Sequence, residues 1–211
     1  MTSPVASRLR LSILGACAAA AALTAEPASC SEAAAAAAKQ AWSEEIRQAF
    51  SFESADGWSG GTLVTEPRQQ GASALRWDKH TATSSIECRH YPKDLSAFNQ
   101  MSFWLHSGHA NGTTFMIIAE SLRERGVNSY YSRKITVDWV GWKRLELHFR
   151  SFGAARDPAG WDAISRLRFT ASGWEQTPTD ESVWVLDDLD FSFTTQPYRP
   201  TPRVRTYVDA P

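Results

Sequence analysis

The chain has 211 residues, of which 43% are hydrophobic, and its 22 basic and 23 acidic residues leave a formal net charge of −1. That length allows one domain with a self-sufficient core plus short extensions. Because the charges balance, no global field attracts polyanions, so nucleic acid is not an expected partner.

The first 28 residues have the features of an export signal. Arg8 and Arg10 give a positive start, residues 11–23 are apolar and Ala-rich, and small residues follow near Ala28. The apolar run is shorter than the roughly 20 residues that span a bilayer. We therefore expect residues 1–28 to be a signal peptide and the mature protein to be secreted or periplasmic.

The tetrad at positions 14–17, Leu-Gly-Ala-Cys, resembles the lipobox of bacterial lipoproteins, whose cysteine is lipidated and becomes the first residue. An alternative destination is therefore the cell surface, with a membrane anchor on Cys17. Export would also place Cys30 and Cys88 in an oxidising compartment where they could pair. Since Cys30 lies outside the expected domain, two unpaired thiols are favoured.

Residues 29–49 form an Ala-rich segment that predicts a helical spacer. Ser31 is a candidate N-cap, and the strong helix formers that follow it are not interrupted by Gly or Pro. Trp42, Ile46 and Phe50 recur at helical spacing, which gives the helix one thin apolar stripe for docking.

Residues 50–194 have a different pattern: short runs of aromatic and β-branched residues are separated by Gly, Asn, Asp and Pro. This pattern is typical of a β domain. We expect hairpin turns at Asn111-Gly112 and Arg125-Gly126. The predicted strands cover residues 62–66, 74–77, 85–90, 101–106, 114–120, 130–137, 143–148, 166–171 and 183–193.

The alternation of side chains along the strands indicates how they pack. Leu145, Leu147 and Phe149 share one face of their strand, with polar residues on the other. Strand 114–120 is apolar on both faces, as expected in the middle of a sandwich. The fold class is therefore all-β, a jelly-roll sandwich, and residues 195–211 form a Pro-rich tail.

Acidic residues bracket this domain, with Glu53 near its start and Asp187 in its closing strand. The first and last strands of such sandwiches are commonly neighbours, so oxygens from both could hold Ca²⁺. Asp187 lies on the side of Val185 and Leu189, where an unpaired carboxylate is costly and needs a cation or several donors. The alternative is that the acids keep a terminal strand soluble.

Residues 50–193 resemble the calcium-containing jelly-roll carbohydrate-binding modules, with the galactose-binding-like fold, that are appended to bacterial polysaccharide-degrading enzymes. The segments that carry the resemblance are Phe52-Glu53, Asp56-Gly57-Trp58, Met101-Ser102-Phe103-Trp104-Leu105, Gly141-Trp142-Lys143-Arg144-Leu145-Glu146-Leu147 and Val185-Leu186-Asp187-Asp188-Leu189. The resemblance implies a structural Ca²⁺ held by Glu53 and Asp187, and a sugar bound on a concave sheet face or a loop rim.

Nine tryptophans supply flat apolar platforms for sugar rings. Four of these tryptophans lie in the segments that carry the resemblance, and we expect them in the core. They are Trp58, Trp104, Trp142 and Trp184. The aromatic candidates for ligand binding stand at strand ends or beside turns, and they are Trp77, Tyr130, Tyr131, Trp139 and Trp174. Arg133 and His148, with Arg144 and Arg150, could form a basic rim for an acidic sugar, or simply a solvated face.

The sequence therefore predicts an exported, monomeric, non-catalytic module that binds a poly- or oligosaccharide. One alternative is a small jelly-roll polysaccharide lyase or hydrolase, because Tyr130 and His148 supply suitable residue types, although no motif assembles them. Another alternative is a surface adhesion or structural module whose partner is a protein.

Overall fold

The computed structural model describes residues 31–123 and 128–200. The predicted signal peptide, the lipobox Cys17, Cys30, the Arg125-Gly126 turn and the end of the Pro-rich tail lie outside the described residues. Cys88 is buried and donates its thiol hydrogen to the carbonyl of His90 at 3.3 Å, and burial raises its pKa to about 12. In the described ranges, no helix has the length and apolarity needed to cross a membrane.

Two helices precede the sandwich, α1 (Glu32–Gln40) and α2 (Glu44–Ser51). The sequence predicts one helix, but Ser43 caps a second by accepting a hydrogen bond from the backbone N–H of Ile46. Both helices dock on the domain rather than leaving it as a spacer. Phe50 is buried, and the ring of Trp42 meets it edge-on at 5.2 Å.

Eleven strands form two antiparallel sheets in the described part of the chain. Sheet 1 has the order β1-β4-β10-β6-β7-β9, and sheet 2 has the order β2-β3-β11-β5-β8. The strands are β1 (Trp58–Ser59), β2 (Thr62–Val64), β3 (Ala74–Trp77), β4 (Ser85–Cys88), β5 (Gln100–Ser107), β6 (Thr113–Glu120), β7 (Tyr130–Val137), β8 (Gly141–His148), β9 (Gly153–Ala155), β10 (Arg166–Thr170) and β11 (Trp184–Ser192).

The predicted strands are all present, within a few residues at their ends. The sequence missed β1, which has two residues, and β9, whose residues Gly153, Ala154 and Ala155 include no β-branched or aromatic side chain. The hairpin predicted at Asn111-Gly112 is wrong: the connection runs from β5 in sheet 2 to β6 in sheet 1. Gly112 has a φ of +72°, so it still serves as a turn glycine.

The core lies between the sheets and is rich in aromatic rings. Phe103 of sheet 2 meets Phe169 of sheet 1 at 5.3 Å, and Phe115 meets Trp184 at 5.0 Å. Each of these four side chains is at most 1% exposed. Burying a side chain of this size contributes about 1.5–3 kcal/mol, so the aromatic layer supplies much of the stability that holds the two sheets together.

Candidate functional site

The structure contradicts the assignment of Trp77 to sugar binding. Its ring is fully buried, meets Trp184 at 5.1 Å, and donates its indole N–H to the carbonyl of Thr83 at 2.7 Å. The cause is register, because β3 pairs with the closing strand β11 and both tryptophans then face the core. Trp77 is therefore a structural residue.

Tyr131 and Arg133 lie on the inner side of β7. Tyr131 stacks on Trp161 at 4.4 Å, and that ring stacks in turn on Phe149 at 3.9 Å. Arg133 donates to the backbone carbonyl of Ser151 at 3.1 Å. Because these contacts already engage both side chains, we assign Tyr131 and Arg133 a structural role.

Two further candidates stand apart from each other. Trp139 packs against the core at the β7–β8 turn, beneath the ammonium of Lys143 at 4.3 Å. His148 lies on the outer face of sheet 2, where its ring meets Tyr198 at 5.2 Å. The predicted set is thus divided among the core, one end of the sandwich and two opposite faces.

The remaining pair, Tyr130 and Trp174, does come together. The rings meet edge-on at 5.8 Å, and the indole N–H of Trp174 donates to the hydroxyl of Tyr130 at 3.2 Å. Trp174 is 39% exposed, which places it among the few exposed large hydrophobic residues in the described part of the chain. Its φ of 50° is unusual for a non-glycine residue, so the turn itself aims the ring.

Trp174 belongs to the connection 171–182, which crosses the outer face of sheet 1. β10 ends at Thr170, which pairs with Met116, whereas Tyr130 pairs with Glu120 at the far end of β6. To bring Trp174 to Tyr130, the connection must run diagonally over β6. Met116 points to this outer side and is nevertheless only 6% exposed, as expected under such a cover.

A band of charged groups runs across the same face. Arg166 bonds to the carboxylate of Glu87 at 2.6 Å, which raises the pKa of the guanidinium further. Glu120 lies between Arg166 and Arg168, at 3.5 Å from each, and it is the strand partner of Tyr130. The band therefore ends at the aromatic pair, about three interstrand spacings or roughly 14 Å from β4.

Two polar groups beside this band have buried atoms without hydrogen-bond partners among the described residues. These atoms are the Nε of Arg168 and both polar atoms of the Gln176 amide. Gln176 bonds through its backbone N–H to Gly173, next to Trp174. Buried groups of this kind are uncommon in native proteins, where most have a protein or water partner.

We call this cluster the sheet 1 site, and its members are Glu120, Tyr130, Arg168, Trp174 and Gln176. Sequence reasoning found the two aromatic residues and missed the polar ones. A signal was present on β10, where Arg166 and Arg168 alternate with two apolar residues, as in a strand with one wet face.

The acidic residues at the two ends of the domain, Glu53 and Asp187, hold the same loop. Asp187 is fully buried, and its Oδ2 accepts backbone N–H bonds from Gln69 at 2.6 Å and Gln70 at 2.9 Å. Glu53 accepts the backbone N–H of Ala72 at 2.7 Å. Burial raises the pKa of Asp187, because it disfavours the charged form. The backbone hydrogen bonds that the carboxylate accepts lower the pKa only in part.

A calcium ion fits the chemical type of these groups. The second carboxylate oxygen of Asp187, Oδ1, is buried without a hydrogen-bond partner in the described structure, and a hard oxygen of this kind is what Ca²⁺ takes as a ligand. Residues 31–123 and 128–200 contain no cluster of three or more His, Cys, Asp or Glu suited to a metal. An ion here would therefore need backbone carbonyls or water to complete its shell.

Comparisons with known proteins agree with this architecture. Residues 78–169 match the model of a carbohydrate binding domain, family 11. A family 30 carbohydrate-binding module is 16% identical over 70% of this chain and 81% of its own, with a TM-score of 0.50. A family 30 module of a cellulosomal cellulase of Clostridium thermocellum is also 16% identical, over 65% of this chain and 84% of its own, with a TM-score of 0.50.

A family 11 module from Clostridium thermocellum, solved with a beta-1,3-1,4-mixed-linked tetrasaccharide, is 20% identical over 68% of this chain and 92% of its own, with a TM-score of 0.48. Among curated proteins there is no match. The family match spans strands β4 to β10 and is to a binding domain, not to an enzyme. Residues 78–169 are therefore similar to a family 11 carbohydrate-binding domain, and the described sandwich has the fold of carbohydrate-binding modules.

Proposed function

We propose that the module binds a poly- or oligosaccharide at the sheet 1 site. The observation that carries the proposal is the exposed indole of Trp174, held against Tyr130 at the end of a band of polar groups. Aromatic rings present apolar faces to the C–H faces of sugars, and polar groups beside the rings fix the orientation of the bound sugar.

The polar members of the site match the hydroxyl groups of a sugar. The guanidinium of Arg168, which is 28% exposed, is a donor, and Gln176 carries an amide that can both donate and accept. Glu120 adds an acceptor whose charge the neighbouring guanidinium groups balance. A band of roughly 14 Å suits a chain of sugar units lying across the strands better than a single ring.

The test is binding to an array of neutral and acidic polysaccharides, followed by affinity electrophoresis with the glycan that binds. We expect Trp174→Ala to weaken binding at the sheet 1 site about 30-fold or more, since truncating a central aromatic residue costs about 2 kcal/mol or more. Val140→Ala is the matched control, because Val140 is 67% exposed and lies away from the site. Equal binding by Trp174→Ala and Val140→Ala would show that the sugar does not bind at the sheet 1 site.

We further propose that Ca²⁺ binds at Asp187 and Glu53 and stabilises the folded domain. The orphaned Oδ1 of Asp187 supports this, because an ion would remove the cost of burying it. We expect calcium to raise the melting temperature and a chelator to lower it, with the difference lost in Asp187→Asn. Coincident melting curves with calcium and with chelator would exclude the ion.

We propose finally that the protein is exported and monomeric, as its first 28 residues and the fold class suggest. The intact mass of the natively expressed protein gives the cleavage site. The same measurement separates a simple signal peptide from a lipidated Cys17, because a lipid adds mass to the new first residue.

A further inference from the structure

The outer face of sheet 2 carries tryptophans that the sequence predicts in the core. On β5, Phe103 and Leu105 point inward and are fully buried, so Trp104 points outward. On β8, Trp142 is the strand partner of His106, on the same outer side as Trp104. Both tryptophans are half-buried, and neither belongs to the described core.

A ladder of hydrogen bonds holds polar groups beside these rings. The Oδ2 of Asp188 accepts from the side-chain amide of Gln70 at 3.0 Å and from Arg144 at 2.8 Å. Arg144 also donates to the hydroxyl of Ser102 at 3.0 Å, and its guanidinium lies 5.7 Å from the ring centre of Trp104. Both branches of the guanidinium are therefore fixed, and the polar and aromatic groups are pre-organised.

A groove continues the same face toward the other end of β5 and β8. It has a volume of about 300 Å³ and lies between the sheet and the segment that follows β11. Its lining residues are Gln100, Glu146, His148, Thr194, Gln196, Pro197 and Tyr198. From Trp142 to His148 the strand advances six residues, about 20 Å, so the rings and the groove form one elongated track.

The charges of this track favour a neutral ligand. Arg144 is paired with Asp188, and Lys39 of α1 is paired with Asp190 at 2.7 Å. The exposed Glu146 and the exposed Arg150 beside His148 take part in no salt bridge within the described ranges, and their opposite charges leave the track without a net charge. His148 adds no positive charge at neutral pH, because burial lowers its pKa and its Nδ1 accepts the backbone N–H of Arg150.

We propose that this outer face of sheet 2, which we call the sheet 2 site, is a second carbohydrate-binding surface, which takes a neutral glycan along β5 and β8. The ligand class rests on the proposed function, but the surface does not use the residues of the sheet 1 site. Because the two sheets pack face to face, their outer faces point in opposite directions. One module therefore engages two separate glycan chains, and it cross-links them.

The experiment is isothermal titration of a neutral oligosaccharide that the polysaccharide array identifies, using the full chain and two variants. We expect two sites per wild-type protein, one site in Trp174→Ala and one site in the double variant Trp104→Ala, Trp142→Ala. Wild-type protein should also raise the light scattering of the parent polysaccharide, whereas either variant should not, because a protein with one site cannot cross-link.

A readout that needs no substitution guards against misfolding of the double variant. In the wild-type protein labelled with ¹⁵N, the indole N–H signals of Trp104 and Trp142 should shift on titration with the oligosaccharide. Unshifted signals, with one site lost entirely in Trp174→Ala, overturn the second surface and leave the proposed function standing. Shifted signals together with undiminished binding by Trp174→Ala would have the opposite meaning. They would support the binding surface on sheet 2 and show that the sheet 1 site does not bind the sugar.

Discussion

Trp174 reaches the outer face of sheet 1 on a connection between strands, whereas Trp104 and Trp142 reach the outer face of sheet 2 on the strands themselves. On sheet 1 the connection covers apolar residues and brings one ring to Tyr130. On sheet 2 the polar groups bond to one another between the rings. A site built on strands is held more rigidly than one built on a loop, so the two faces should respond differently to the same kinds of change.

The largest expected effect tests whether the outer face of sheet 1 is covered. Ile118 points outward on β6, yet it is fully buried. We expect Ile118→Ala to lower the free energy of unfolding by about 2–5 kcal/mol, as in a core, and to weaken binding at Trp174. Denaturant unfolding measures this, with the exposed Val140→Ala as control. An effect as small as that of the control would mean that the connection leaves this face open.

The next effect concerns the ladder on sheet 2. Lysine cannot reproduce the two-branched contact of Arg144 with Asp188 and Ser102. We expect Arg144→Lys to weaken the sheet 2 site about tenfold, which corresponds to about 1.4 kcal/mol. Titration in the Trp174→Ala background isolates that site, and Arg89→Lys is the matched control, because Arg89 is exposed and follows β4 of the other sheet. An unchanged affinity would show that the two-branched contact of the Arg144 guanidinium does not position the ligand.

The smallest effect is a dependence on pH that belongs to sheet 1. Burial lowers the pKa of His80, whose ring contacts Trp184 and bonds to the carbonyl of Thr179 in the connection 171–182. The unfolded chain binds the proton more readily, so stability is full above the ordinary histidine pKa of about 6.5 and falls as the pH drops below it.

The connection should then loosen, and the sheet 1 site should weaken before the sheet 2 site does. Titration calorimetry between pH 7.5 and about 5 measures both sites, and His80→Gln should flatten the difference between them. A parallel decline of both sites, with the same slope in His80→Gln, would assign the pH dependence to other groups.

The sequence predicted the longer strands well because their side chains alternate with a period of two over five or more residues. The alternation of Leu145 and Leu147 with polar residues indicated β8, and the structure places Leu147 in the core. Trp104 and Trp142 were instead assigned to the core because they lie in fold-marking segments, and that assignment is wrong. In β5, alternation sets Met101, Phe103 and Leu105 apart from Ser102, Trp104 and His106, so it would have placed Trp104 on the outer face.

For the functional residues the sequence had less to offer. Residue type and turn neighbours singled out Tyr130 and Trp174, which meet, but also Trp77, which is buried. Nothing local distinguishes the three, because exposure depends on which strand pairs with which. The acidic residues were a better guide to burial than to the face of the strand. Asp187 pairs with Trp104 on the outer side of sheet 2, yet it is fully buried and takes two backbone donors, as an acid without a cation requires.

The sequence by itself therefore determined the all-β class, the strand positions and the presence of a buried acid in the closing strand. These features depend on local alternation and on the cost of burying charge, and both are written in neighbouring residues. Only the tertiary structure decided that Trp174 crosses sheet 1 to Tyr130 and that Arg144 lies over Trp104. Those contacts join residues at least 40 positions apart along the chain, and strand order and register, which no local pattern specifies, bring them together.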